Sequence, residues 1–122
     1  RVAVTYNALP LILPVSFGLL DGDVVFATGP GTKLAAATDR TVVAFEADQA
    51  DPATLTGWSV CITGMAEVIV DPEVVERAAA IGLRPLVNID DPRYVRIRTE
   101  LSSGRRVAPA RSRQHTTAVR SV

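Results

Sequence analysis

Val24-Val25-Phe26-Ala27-Thr28-Gly29-Pro30-Gly31-Thr32-Lys33-Leu34-Ala35-Ala36-Ala37 reads as a strand, a glycine turn and the start of a helix. Val24, Val25, Phe26 and Thr28 favour a pleated, half-buried strand. Gly29-Pro30-Gly31 punctuates it. Thr32 stands at a helix N-cap position, and Leu34 to Ala37 are good helix formers. A glycine loop feeding a helix start exposes free backbone N–H groups at the positive end of the helix dipole, and phosphate suits that arrangement. Thr32 adds a hydroxyl there and Lys33 a full charge. The loop is neither of the common nucleotide loops: Lys33 follows the first glycine too soon for one, and Leu34 occupies the third glycine of the other. Two readings stand at this point, a plain strand-to-helix connection with a surface lysine, or a phosphate cradle.

Upstream of that stretch, Asp21-Gly22 lies between two apolar runs and predicts a tight hairpin turn with positive φ. Its first arm is Leu11 to Leu20, read as one strand in which Pro14 interrupts the ladder. Arg1 to Tyr6 alternates as another strand, and Asn7-Ala8 is a turn. The apolar run Ala8 to Leu20 is too short to span a bilayer and holds two prolines.

Downstream, Thr41 to Asp48 is a strand, Gln49 to Gly57 a loop, and Trp58 to Val70 a long strand. That long strand turns Trp58, Val60, Ile62, Ala66, Val68 and Val70 to one face and Ser59, Cys61, Thr63, Met65 and Glu67 to the other, with Gly64 marking a bend. Asp71-Pro72-Glu73 starts a second helix that Gly82 ends. Arg84 to Pro92 reads as a loop and Arg93 to Leu101 as a sixth strand. Arg105, Arg106, Arg111, Arg113 and Arg120 then follow with no acidic residue, so residues 107–122 are expected to form a basic, flexible tail after a domain of residues 1–106. The pattern is mainly β: six hairpin-rich antiparallel strands with two short helices argue a small antiparallel barrel.

The totals narrow the chemistry. The chain has 122 residues, enough for one core. Thirteen basic and thirteen acidic side chains cancel, which gives no charge argument for nucleic acid or an anionic membrane. The single cysteine, Cys61, allows no internal disulfide, reads as a buried inert thiol, and suits a reducing, cytoplasmic setting. A single histidine, His115, makes a metal site hard to build. Many arginines beside one lysine fit a GC-rich genome such as an actinobacterial one.

Taken in that strand order, the chain resembles the pyridoxamine 5'-phosphate oxidase-like family of FMN-binding split barrels. Leu13-Pro14-Val15-Ser16-Phe17, the run Val25 to Leu34, Val43-Ala44-Phe45-Glu46, Gly57-Trp58-Ser59-Val60, Gly64-Met65-Ala66-Glu67, Tyr94-Val95-Arg96-Ile97 and Gly104-Arg105-Arg106 carry the likeness, over about Arg1 to Arg106. The resemblance implies a six-stranded antiparallel split β-barrel of Greek-key type, and a homodimer with FMN at the interface between subunits. It places Pro14, Val15, Ser16 and Phe17 against the isoalloxazine ring, Thr28, Thr32 and Lys33 at the phosphate, and Trp58 and Ser59 at the cofactor from the long strand. It implies an oxidoreductase acting on a small-molecule substrate, without nucleic acid, membrane or metal. No side chain stands out as a catalytic acid or base, so the chemistry would belong to the flavin. One departure matters: such relatives place an arginine just before Thr28, and here Ala27 stands there. Arg105 or Arg106 could compensate. The alternatives are a reductase using the deazaflavin coenzyme and a cofactor-binding protein without turnover.

Overall fold

Asp21 and Gly22 both take positive φ, 52° and 83°, and join two antiparallel strands in a tight turn. Asn7 and Ala8 do the same one hairpin earlier, at 49° and 62°. These turns set the register from which the sheet grows. The computed structural model describes residues 1–84, 88–108 and the backbone of 117–121.

Among the described residues, nine strands form one sheet: β1 (Val2–Tyr6), β2 (Leu9–Leu13), β3 (Phe17–Leu20), β4 (Asp23–Thr28), β5 (Thr41–Asp51), β6 (Thr56–Val68), β7 (Arg93–Ile97), β8 (Leu101–Val107) and β9 (Thr117–Ser121). Helix α1 (Lys33–Ala37) follows β4 and α2 (Pro72–Ala80) follows β6. Every pairing is antiparallel. The main path runs β2-β1-β5-β6-β7-β4-β3, and β8 pairs with β6 and β9.

The path ends on β2 and β3, which are neighbours in the chain. Only Pro14, Val15 and Ser16 separate them, a link that reaches at most about 14 Å when extended. The two edges of the sheet are therefore held close together, and the sheet curls into a barrel with a split at that link. The single strand expected over Leu11 to Leu20 is thus two strands on opposite edges. Proline 14 has no N–H for a ladder, and the chain uses that break to change edges.

Long strand β6 serves two neighbours on one side. Ala66 to Val68 pair with β7, whereas Gly57 to Thr63 pair with β8. Gly64 stands at the change of partner, where an added Cβ would lie 1.7 Å from the Arg98 carbonyl oxygen. The sixth strand expected to reach Leu101 stops at Ile97 for a related reason. Asp23 accepts from the Thr99 backbone N–H at 3.0 Å and from Arg96 Nε at 3.0 Å, and Thr99 Oγ1 donates to the Gly22 carbonyl oxygen. The Asp21–Asp23 turn thereby captures the β7–β8 bend. The loop expected over Gln49 to Gly57 shrinks to Pro52–Leu55, because Gln49 pairs with Trp58 and Asp51 with Thr56. Part of the expected tail is also ordered as strand: Thr117–Ser121 pairs with β8. Arg111, Arg113 and His115 lie outside the described residues.

The core follows the alternation read from the sequence. Val2, Val4, Val24, Phe26, Val43, Phe45, Ile62, Ala66, Val95 and Ile97 are buried together inside the barrel. Leu20, Val25 and Ala78 form a smaller cluster that seats α2 on the sheet's other side. Asp71 caps α2 by accepting from Glu73 N at 3.0 Å, with Pro72 in the first turn and Gly82 at φ 73° beyond its end. The inner face expected of β6 holds at Val60, Ile62, Ala66 and Val68, whereas Trp58 is exposed, Val70 lies exposed beyond the strand's end, and Cys61, on the outer face, is exposed and not buried.

Candidate functional site

A cleft of about 570 Å³ opens at the split of the barrel. Three segments build it. The β2–β3 link supplies Pro14, Val15 and Ser16, with Leu13 before them. The end of β4 and the α1 start supply Ala27, Thr28, Gly29, Thr32, Lys33 and Leu34. The segment before β7 adds Leu83, Asn88, Ile89 and Asp90. Ser16 Oγ donates to the Arg84 carbonyl oxygen and so ties the first segment to the third.

The loop after β4 is wired internally. Thr32 has extended backbone and caps α1, accepting from Ala35 N at 3.1 Å. Its hydroxyl donates to the Gly29 carbonyl oxygen at 2.9 Å. That proton is then spent, so in the 3.0 Å contact between Thr28 Oγ1 and Thr32 Oγ1 the donor is Thr28. Both hydroxyl protons are committed within the loop. Gly31, at φ 74°, is the position where the turn needs a glycine. Helix α1 has only five residues, so its dipole is small and Lys33 carries most of the positive potential here. The Lys33 ammonium sits 5.8 Å from the centre of the Tyr6 ring, a cation–π distance.

Of the residues expected to hold a cofactor, Pro14, Val15, Ser16, Thr28, Thr32 and Lys33 meet in this cleft. Phe17 does not line it: it begins β3 opposite Phe26, and its ring packs edge-on against Phe45 at 4.8 Å between centroids. Trp58 and Ser59 lie away from it. Trp58 borders a second depression with Gln49, Thr56 and Arg106, and its indole N–H donates to Gln49 Oε1 at 3.3 Å. Ser59 sits beside Arg105 in the adjoining hollow. Within one chain these two residues and the cleft are separate, since β6 crosses the barrel from the far side.

Sequence reading missed Leu83, Asn88, Ile89 and Asp90. Their segment carries no ladder pattern, and only folding shows that α2 returns it across the split. Arg96 and Arg98 are engaged with Asp23 at 3.0 and 3.7 Å, and Arg98 also with Glu67 at 2.9 Å. Beside them, Asp21 has its carboxyl held below the ordinary carboxylate range by a hydrogen bond from Arg77, 2.8 Å away. Among the described residues no group of His, Cys, Asp and Glu side chains could hold a metal ion, and no helix is long and apolar enough to cross a membrane.

Residues 1–106 match the sequence profile of pyridoxamine 5'-phosphate oxidase. The chain belongs to that family. Among curated relatives, it is 40% identical over 112 residues to the uncharacterised protein Rv0080 of Mycobacterium tuberculosis, an overlap covering 88% of this chain and 73% of that protein. Among solved structures, it is similar to the FAD binding protein from Mycobacterium smegmatis, with TM-score 0.74 and 32% identity over 87% of this chain and 83% of the other. It is also similar to a conserved protein of unknown function from Corynebacterium diphtheriae, with TM-score 0.67 and 30% identity over 84% and 80% of the two chains. The split barrel of the pyridoxamine 5'-phosphate oxidase family is therefore the fold of this chain, and its split coincides with the cleft.

Proposed function

We propose that this chain is a flavin-dependent oxidoreductase that binds an FMN-type cofactor in the cleft at the barrel split. The observation that carries the reading is the convergence of Pro14–Ser16, the Gly29–Lys33 loop, and Leu83, Asn88, Ile89 and Asp90 on one opening of cofactor size. The similarity to an FAD binding protein supports a flavin as the guest. A bound flavin supplies hydride transfer through N5. The residues of the chain do the rest. Pro14, Val15 and Ser16 lie outside any strand, so their backbone groups are free to meet the polar edge of a ring. Leu13, Val15, Leu34, Leu83 and Ile89 form apolar walls that exclude water from the ring. Lys33 neutralises phosphate charge at one end of the cleft. The substrate is a small molecule that reaches the open side of the ring.

The working unit is a homodimer. The outer face of the sheet carries one row running Ile12, Ala3, Ala44, Thr63 and Leu101 across five strands, with Val42 and Met65 paired beside it. Ile12, Val42 and Leu101 are each more than 60% exposed, an apolar surface that suits a second copy. Ser59 and Arg105 extend the same face, so a partner docked there can bring them towards the cleft. A deazaflavin coenzyme is the second reading, favoured by Ala27, which leaves the phosphate end short of one cation.

Absorption spectra of the purified protein, titration with FMN and with the deazaflavin, and light scattering test the proposal. Saturable flavin binding to a species of twice the chain mass is expected. A monomer that binds neither cofactor would remove it.

A further inference from the structure

We infer that Gly18, which does not itself line the cleft, fixes the cleft's width: by carrying no side chain it seats α2 on β3 and so holds Leu83 in the wall against the ring. The inference rests on the flavin reading above and adds a positioning residue to that site. Gly18 stands within β3, opposite Val25. Its φ is not positive, so its backbone conformation does not require a glycine. Glycine weakens a strand interior and often marks a place where something approaches closely. What approaches here is Ile81: a Cβ on residue 18 would lie 2.5 Å from Ile81 Cγ2 and 3.2 Å from Leu83 Cδ2. Leu83 also lines the cleft, so one side chain reaches from the strand to the ligand wall.

The residues at the two ends of β3 hold the same segment at two further points. Asp21 accepts from Arg77 at 2.8 Å. Ser16 Oγ donates to the Arg84 carbonyl oxygen. The contacts pair 77, 81 and 84 with 21, 18 and 16, so the segment runs antiparallel along the strand. Leu20, Val25 and Ala78 are buried together where α2 meets the sheet, and Ile81 packs on them. Added bulk at residue 18 cannot be absorbed by a side-chain turn. Ile81 is β-branched, and rotating its χ1 brings another substituent towards the strand. Its N–H donates to the Ala78 carbonyl oxygen and that of Gly82 to the Ala79 carbonyl oxygen, both at 3.2 Å, which ties residue 81 to the helix end. To regain an ordinary carbon–carbon separation of about 3.5 Å, the segment has to retreat by about 1 Å, and Leu83 goes with it. A gap of that size forfeits about a quarter to a half of each dispersion contact between wall and ring.

The full chain and its Gly18→Ala, Ile81→Ala and double variants are titrated by fluorescence with riboflavin and FMN. Urea unfolding of each variant first fixes conditions in which it is folded. Gly18→Ala should weaken riboflavin and FMN alike, by about tenfold, because both lose ring packing. Ile81→Ala removes the methyl group in the way, so adding Gly18→Ala to it should cost less than about twofold. That dependence on Ile81 is a readout that a general loss of strand stability does not move. Should Gly18→Ala alone not fold, the double variant compared with Ile81→Ala decides by itself, and a further loss of about tenfold there would overturn the inference. So would a folded Gly18→Ala that binds riboflavin as the wild type does, or one that loses FMN only. A wild type that binds neither flavin would overturn the flavin reading, and the inference with it.

Discussion

Replacing Lys33 with alanine tests the polarity of the cleft at its one cation. A charge-assisted hydrogen bond to phosphate contributes about 1.5–3 kcal/mol. Two features of the structure reduce that figure. Lys33 is exposed, so solvent screens its charge. Its ammonium also rests 5.8 Å from the Tyr6 ring, a contact worth about 0.5–1 kcal/mol that must loosen when the lysine turns to a ligand. The net loss for Lys33→Ala is then about 1–1.5 kcal/mol, or roughly five- to thirteenfold in Kd. The fold should not suffer, because Lys33 opens α1, where a cation opposes the dipole and alanine is the better helix former. The assay is a fluorescence titration of wild type and variant with FMN and with riboflavin, at about 0.05 M and 0.5 M salt, salt being the lever on exposed charge. FMN affinity should fall in the variant, riboflavin affinity should not, and only the wild type should lose FMN affinity with salt. Equal losses for the two ligands, or none for FMN, would refute a phosphate at Lys33.

Four other outcomes are expected. Gly64→Ala should cost about 3 kcal/mol in urea denaturation, because its Cβ would lie 1.7 Å from the Arg98 carbonyl oxygen and backbone cannot step aside cheaply; a change under about 0.5 kcal/mol would contradict the crossing of β6 from β7 to β8 at that residue. Ala8→Gly should stabilise by about 1 kcal/mol and raise Tm by roughly 4 °C, since Ala8 sits at φ 62° in a two-residue turn; an unchanged melt would place no strain there. Asp21→Asn keeps the turn but removes the partner of Arg77, whose hydrogen bond lowers the Asp21 pKa from 3.8. A lowered folded pKa stabilises above the unfolded value and is lost as pH falls through the folded one. The gap between variant and wild type should therefore be present at neutral pH and begin to close only as pH falls below about 3.8; a gap that grows on acidification would reverse the assignment. Val42→Glu puts a charge on the exposed outer face and should convert a dimer to monomers on light scattering without lowering the monomer's stability; an unchanged dimer would locate the interface elsewhere.

Local signals were legible wherever chemistry and conformation coincide in a few residues. Asp21-Gly22, Thr32, Asp71-Pro72 and Gly82 all act as their types demand, in turn, cap, helix start and helix stop. The inner face of β6 followed from alternation, because a period of two admits one answer when one side is buried. Partnership between strands was less legible. Pro14 announces a broken ladder, but nothing local says that the chain changes edges there. Gly64 announces a bend, but not that β8 replaces β7 beyond it. Thr99 reads as an ordinary strand residue until Asp23, distant in sequence, takes its N–H. The same limit governs the site. Thr28, Thr32 and Lys33 are contiguous enough to be read together, whereas Leu83 to Asp90 reach the cleft only through the packing of α2. Trp58 and Ser59 illustrate the converse, since they share a strand with core residues yet border a different hollow.

The cleft lies where the barrel's hydrogen bonding runs out. A fully closed barrel pairs every backbone group on its wall and leaves nothing for a guest. Here the path of strands ends on β2 and β3, and the three residues between them belong to neither. Gly29 to Gly31 leave β4 for α1, and Leu83, Asn88, Ile89 and Asp90 line the opening without joining a strand. Three departures from the ladder, on three segments, meet at one place. Buried backbone N–H and C=O groups require partners, and where the sheet supplies none they come from side chains, water or a ligand. Ser16 Oγ and Thr32 Oγ1 already meet two of these needs, by donating to the carbonyls of Arg84 and Gly29. In the proposed reading, a flat ring with a polar edge would meet the remainder along Pro14 to Ser16, with its apolar faces against walls of leucine, valine and isoleucine. The loss of arginine at Ala27 does not disturb that part of the design. It would alter only the phosphate end, so the proposed reading makes ring recognition and phosphate recognition separable, and titration with riboflavin beside FMN measures each of them alone.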